Sequence, residues 1–161
     1  MSVARYVGVA LFGAVLCAAL TTVLTAEVPG FAIWQPADFT KREAALSKTM
    51  AADRSSRETL GEYKDHRVRL LYRDADGLPE EHSDVIDIVI VNSGEGTLLL
   101  GGTMLNRKKS GDGGTTMGTG LEGAERHPLV PGTVAHIPKN IPHSFLVPKG
   151  KHITYTLVKF P

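Results

Sequence analysis

From Tyr63 to the C-terminus the chain is a succession of short apolar runs, each ended by turn residues, with no helical pattern between them. "HRVRLLYRD" runs into the turn "DADGLPEE", "VIDIVIV" into "NSGEG", and "IPHSFLV" into "PKGK" and then "HITYTLVKF". "TLLLGGTML" and "LVPGTVAHIP" lie between them. About six or seven strands at this spacing predict an antiparallel sandwich or barrel, because a parallel sheet needs crossover helices that this stretch lacks. Several runs are apolar at nearly every position, which predicts strands covered on both faces. The expected class is all-β.

The chain before Tyr63 is different in kind. "MSVARYVGVALFGAVLCAALTTVLTAE" has one Arg, an apolar run from Tyr6 to Leu24 and a small-residue exit, with Ala19 and Ala26 both ending acceptable cleavage patterns. That is the pattern of a secretory signal peptide, or of a membrane anchor if it is not removed. From Phe31 to about Leu60 the pattern is helical or irregular. In "DFTKREAALSKTMAAD" Thr40 and Glu43 have capping-box spacing, and Phe39, Leu46 and Met50 fall on roughly one face, so a helix packed outside the sheets is expected. "DRSSRE" reads as a loop. The expected organisation is a signal peptide or anchor over 1–26, a helical extension over 27–62 and a β-barrel over 63–161. The domain is expected to be exported, periplasmic or secreted, and to touch a membrane only through the N-terminal segment if that is retained.

Charge and cysteine usage remove other classes. Lys plus Arg is 18 against 17 for Asp plus Glu, with no basic block and no aromatic-interleaved basic stripe, which argues against a nucleic-acid partner. Cys17 is the only cysteine and lies in the leader, so the domain behind it has no thiol chemistry and no disulfide. A chain of 161 residues buries enough surface to do without either. Any metal must be held by His, Asp or Glu.

Two segments carry those residue types. "LPEEHSDVIDIVIVNSGEG" crowds Glu80, Glu81, His82, Asp84 and Asp87 into the front of an apolar run. An unpaired carboxylate at Asp87 is costly inside a strand that is otherwise buried. In "HPLVPGTVAHIPKNIPHSF", Pro131 and Gly132 make a turn, Pro138 to Asn140 make another, and Pro142 sets His143 at the start of the next strand. Asn140 suits a turn position with positive φ. By contrast "GTGLEG", Gly118 to Gly123, spells a dinucleotide-binding fingerprint but neither follows a buried strand nor opens a helix, so that reading fails. The whole stretch 106–123 reads as a mobile loop, either an inert linker or a lid.

Taken together, these two segments resemble the cupin superfamily. Pro131, Gly132, Ile137, Pro138, Pro142, His143 and Phe145 match its second motif, and Gly94 and Gly96 match the GxG that ends its first. In the first motif Glu80 stands where the family has a His, His82 matches the second His, and Asp87 stands at the acidic ligand. The resemblance, covering roughly Arg67 to Phe160, implies a double-stranded β-helix, a jelly-roll-like barrel. It also implies a divalent ion on Glu80, His82, Asp87 and His143. Asp87 then follows a turn onto a new strand, in phase with Val89 and Val91, which explains why its parity differs from that of Glu80 and His82.

Two carboxylates and two imidazoles leave a divalent ion neutral in an oxygen-rich shell, which favours Mn²⁺ or Fe²⁺ relative to a His-rich site, with Zn²⁺ also served. Glu81 is the alternative to Glu80 under a one-residue register change. If neither faces the ion, two His and one carboxylate remain. The resemblance further implies a small carboxylate- or carbonyl-bearing substrate, sugar-derived acids included, and dioxygenase, decarboxylase or isomerase and lyase chemistry. Pairing through barrel edges to a homodimer is implied too. Glu125 and His127, in "GAERHPL", are candidates for an acid–base pair at the barrel mouth, with a surface ion pair as the alternative. The competing reading of the chain is a non-catalytic module holding a metal or small ligand. His136 is expected on an outer face, His66 and His152 in ordinary roles, Asp84 in a turn, and Trp34 and Tyr72 in packing.

Overall fold

In the computed structural model, which describes residues 28–110 and 114–161, the chain from Ala32 onward builds two β-sheets with one helix outside them. The expected signal or anchor segment, 1–26, lies outside the described residues. Among those described, no helix is long and apolar enough to cross a membrane.

The helix α1 spans Pro36–Leu46. It begins earlier than the Thr40–Glu43 spacing suggests, because Pro36 supplies a preset φ at its first turn and the Gln35 N–H donates to Asp38 Oδ2 at 2.9 Å. Thr40 instead turns its hydroxyl back to the Pro36 carbonyl.

The strands are β1 (Ser55–Glu62), β2 (Arg67–Arg73), β3 (Glu80–His82), β4 (Ile86–Gly94), β5 (Gly96–Leu100), β6 (Thr103–Leu105), β7 (Lys108–Lys109), β8 (Thr115–Met117), β9 (Gly120–Glu122), β10 (Glu125–Leu129), β11 (Val134–Ile137), β12 (His143–Leu146) and β13 (Ile153–Phe160). One sheet has the order β1-β2-β13-β4-β11, the other β10-β5-β12-β3-β8-β7, and β6 pairs with β9 in a small ribbon. All pairings are antiparallel. The expected all-β barrel is what forms.

Two local readings are corrected. "DRSSRE", read as a loop, enters β1, which pairs with β2 from Ser55↔Arg73 to Glu62↔Arg67. The stretch 106–123, read as one mobile loop, contains β7, β8 and β9, and β8 is paired to β3. Its Gly118 lets the backbone pass Met104, where an added Cβ would lie 2.2 Å from Cγ, so the glycine-rich texture serves close packing.

The core lies between the sheets. Val89 and Val91 of β4, Leu98 of β5, Phe145 of β12, and Ile153, Tyr155 and Leu157 of β13 form one buried cluster. Phe145 and Tyr155 stack across it at 4.7 Å. Outside, α1 packs on β1 and β2, and Glu43 ties it down by accepting from Ser93 and facing His152 at 3.1 Å. Tyr72 stacks on His152 on that same outer side. Asn140 takes φ +60°, as its turn requires.

The GxG of the first motif has a physical reason. Gly94 has φ +74°, and a Cβ there would stand 2.0 Å from the His152 carbonyl oxygen; one on Gly96 would stand 2.9 Å from that of Leu146. Gly94→Ala is therefore expected to destabilise the fold by on the order of 3 kcal/mol, measured by urea unfolding. A loss below about 1 kcal/mol would mean the hairpin relaxes freely.

Candidate metal centre

The loop 83–85 separates β3 from β4 and moves the chain from one sheet to the other. Glu80 and His82 therefore project from the six-stranded sheet, and Asp87 from the five-stranded one. His143, first residue of β12, is the direct cross-strand partner of Glu80. The four side chains meet between the sheets, each offering one ligand atom, all within 4.8 Å of one another.

The spacing suits a metal. His82 Nε2 lies 3.7 Å from Glu80 and 3.5 Å from Asp87, and His143 Nε2 lies 3.6 Å from each of the two carboxylates. An ion bonded to each at roughly 2.1 Å sets tetrahedral donors about 3.4 Å apart. Both imidazoles are oriented through their other nitrogen. His143 Nδ1 faces the Ile141 carbonyl at 3.0 Å, and His82 Nδ1 faces the Thr115 hydroxyl at 3.1 Å. A carbonyl accepts only, so His143 Nδ1 carries a hydrogen and Nε2 is the nitrogen turned to the group, as in a metal-ligating histidine. That Nε2 is buried and has no hydrogen-bond partner among the described residues. A buried Nε2 between two carboxylates calls for a positive charge, met by a proton on the ring or by a cation in its place, and the donor set fits a divalent ion.

Burial disfavours charge on each of these groups, but their mutual attraction outweighs it. Glu80 is held down at about 2 by His143, with Lys159 and His82 adding to the effect. Asp87 is held well below the usual carboxylate range by His143, His82 and Lys159. The facing Asp87 and Glu80 carboxylates hold the His143 imidazolium up to about 9.

These directions set a stability window for metal-stripped protein. Glu80, lowered from 4.5 to about 2, contributes stability that is present above 4.5 and lost as pH falls through 2. His143, raised from 6.5 to about 9, contributes stability that is present below 6.5 and lost as pH rises through 9. Chelator-treated protein is accordingly expected to be most stable between about pH 4.5 and 6.5 in thermal unfolding. A maximum above pH 8 would contradict the coupling.

One member of the group escaped the sequence reading. Lys159, on β13 and directly opposite Asp87, extends its ammonium to Asp87 Oδ1 at 2.8 Å, Oδ2 at 2.9 Å and His82 Nε2 at 2.7 Å. It is in phase with Ile153, Tyr155 and Leu157, all buried in the core, and that parity in "ITYTLVKF" was the available signal. His82 Nε2 accepts from this ammonium, so Nδ1 carries the ring hydrogen and donates to Thr115, matching the tautomer of His143.

The remaining site expectations separate cleanly. Glu81 turns the other way and pairs with Arg107 at 2.6 Å, so Glu80 is the residue facing the group. Glu125 and His127 do not join it. They sit on the edge strand β10 as an exposed pair 3.3 Å apart, and neither lines the cavity beside the group. Along their cross-strand row Glu125 opposes Leu100, which opposes His143, so a whole strand stands between the pair and the metal group. The acid–base assignment to Glu125 and His127 is thus corrected to the surface ion pair. His136 is exposed on β11, and His66 lies between Tyr63 and Phe160 as a stacked ring.

A cavity of about 930 Å³ opens beside the group, lined by Glu80, His82 and Lys159 at one end and by Phe145, Tyr155 and Leu157 along its floor. That volume is in the range of small-molecule sites.

No protein-family model and no curated protein matches this sequence. Solved structures do match. The polyketide cyclase RemF from Streptomyces resistomycificus is 15% identical over 69% of this chain and 68% of its own, with a TM-score of 0.50. The DMSP lyase DddQ from Ruegeria pomeroyi DSS-3 is 17% identical over 70% and 51%, TM-score 0.50. A cupin 2 conserved barrel domain protein from Rhodopseudomonas palustris is 18% identical over 66% and 60%, TM-score 0.48. The fold is a cupin barrel. The chain spans about half to two thirds of the lengths of these proteins, and at such identities the likeness concerns the fold. Within the cupin barrel the two motif segments converge as the resemblance implied, with Glu80 and Asp87 in the positions that depart from the family pattern.

Proposed function

We propose that this cupin is an exported protein that binds a divalent metal, Mn²⁺, Fe²⁺ or Zn²⁺, on Glu80, His82, Asp87 and His143, and acts on a small carbonyl- or carboxylate-bearing molecule. The observation that carries the reading is the convergence of two Nε2 atoms and two carboxylates from opposite sheets on one point between them. A bound ion supplies Lewis acidity to an oxygen of the substrate. The protein supplies the rest. Thr115 and the Ile141 carbonyl fix the imidazoles, and Phe145 and Leu157 give the cavity an apolar part of its lining. Lys159 holds a proton at the cavity end of the group, the place vacated by Glu125 and His127 in the acid–base role. A positioned proton carrier favours isomerisation, elimination or decarboxylation over dioxygenation. RemF is a cyclase and DddQ a lyase, which agrees with that class without selecting a reaction.

One observation favours the second reading, a non-catalytic binding module: the Lys159 ammonium lies within hydrogen-bond distance of two of the four donors and balances part of their charge by itself. Elemental analysis of protein purified without added metal tests whether an ion, rather than the ammonium alone, balances the group. About one Mn, Fe or Zn per chain is expected. A metal-free preparation that also shows no thermal shift with any of the three would reject the metal-dependent reading.

A further inference from the structure

The inner face of β2 is built from arginines. Arg67, Arg69 and Arg73 share a parity with Leu71 and line the cavity, while the opposite parity, Val68 and Leu70, is buried on the outer face where α1 packs. This inverts the usual arrangement, in which a strand turns its apolar parity inward. Arg57 of β1, opposite Leu71, adds a fourth guanidinium at the cavity rim. The wall begins beside the metal group, because Arg67 is the direct cross-strand partner of Lys159, itself the partner of Asp87.

Internal acids meet part of this charge. Arg67 is paired with Glu62 at 2.5 Å, and Arg54 is paired with Asp74. Of the acids lining the cavity, Asp53 accepts from Ser55 and also feels the charges of Arg73 and Arg57, Asp76 accepts from the Val147 N–H, Glu80 belongs to the metal group, and Asp84 stands in the turn after β3. Arg73 keeps two buried guanidinium nitrogens, Nε and Nη1, without a hydrogen-bond partner among the described residues. Guanidinium N–H groups are suited to a carboxylate or a phosphate.

We propose that the cavity binds a small molecule bearing a carboxylate or phosphate, held by the inward arginines of β2 and by Arg57, with its other end facing the metal group. This rests on the metal-dependent reading for what the far end does, but the anion grip belongs to the arginines alone. The ligand is a compact acid, since the arginine wall and the metal group share one cavity of about 930 Å³.

The test is calorimetric titration of the full chain, with its metal content measured, against succinate, glycerol 3-phosphate and uncharged glycerol. At least one anion is expected to bind more tightly than glycerol, and comparison of the two anions tells carboxylate from phosphate. Arg73→Gln is expected to weaken that anion by on the order of tenfold to a hundredfold with metal content unchanged. Arg57→Gln, at an exposed position, is expected to weaken it several-fold without threatening the fold, and decides the matter if the Arg73 variant fails to fold. Anions binding no better than glycerol, or equally well to wild type and both Arg variants, would overturn the proposal. His143→Ala keeps the two ideas apart: anion binding that persists after metal loss supports the arginine grip, and binding that vanishes with the metal while ignoring the Arg variants assigns it to chelation.

Discussion

His143→Ala is expected to abolish metal retention while leaving the barrel folded. The imidazole stands at the start of β12, is 1% exposed, and its Nε2 has no hydrogen-bond partner among the described residues. Even indirect supports of metal ligands are worth tenfold to a hundredfold in affinity, so loss of a ligand is expected to cost at least about a hundredfold. The fold survives because the strand pairing of β12 to β5 runs on through Ser144, Phe145 and Leu146, with Phe145 stacked on Tyr155. Elemental analysis and circular dichroism on the same sample make the check. Metal content equal to wild type would remove His143 from the ligand set.

Lys159→Met has a different signature. The substitution keeps an unbranched stem and removes the ammonium that Asp87, itself 2% exposed, meets through both oxygens. Breaking a buried ion pair from one side leaves an uncompensated carboxylate, at a cost of about 3 kcal/mol. Metal-free Lys159→Met is therefore expected to melt well below metal-free wild type. Added Mn²⁺ or Zn²⁺ then meets a group without an internal competitor, so the metal-induced rise in melting temperature is expected to exceed that of wild type. Equal rises in the two proteins would show that Lys159 and the ion do not share a position. If Lys159 moves a proton in turnover, the fully metal-loaded variant is expected to lose about a hundredfold or more in kcat.

Much of this was legible in the chain because turn chemistry and period 2 are local signals. Pro131–Gly132, Asn140 and the Gly94–Gly96 pair located the hairpins, and the parity change between His82 and Asp87 located the step between sheets. What escaped was charge facing inward. Arg67, Arg69 and Arg73 alternate as neatly as any apolar set, but a charged parity is ordinarily the solvated one, and only the helix over Val68 and Leu70 reverses it. Lys159 hid for the same reason, at the end of an apolar strand where a lysine usually reaches solvent. β1 was missed because "SSRETLGE" has one large apolar residue, Leu60, and takes its strand form from pairing with β2. Glu125 and His127 misled because nearness in sequence to the second motif placed them on β10, while nearness in space is set by β5 lying between.

The donors come from both layers: Asp87 from one wall, Glu80, His82 and His143 from the other. An ion gripped there acts as a rivet through the sandwich, and the layers can separate at that end only by letting it go. Amide exchange along β3 and β4 should therefore slow together when metal is added, even though no backbone hydrogen bond joins the two strands.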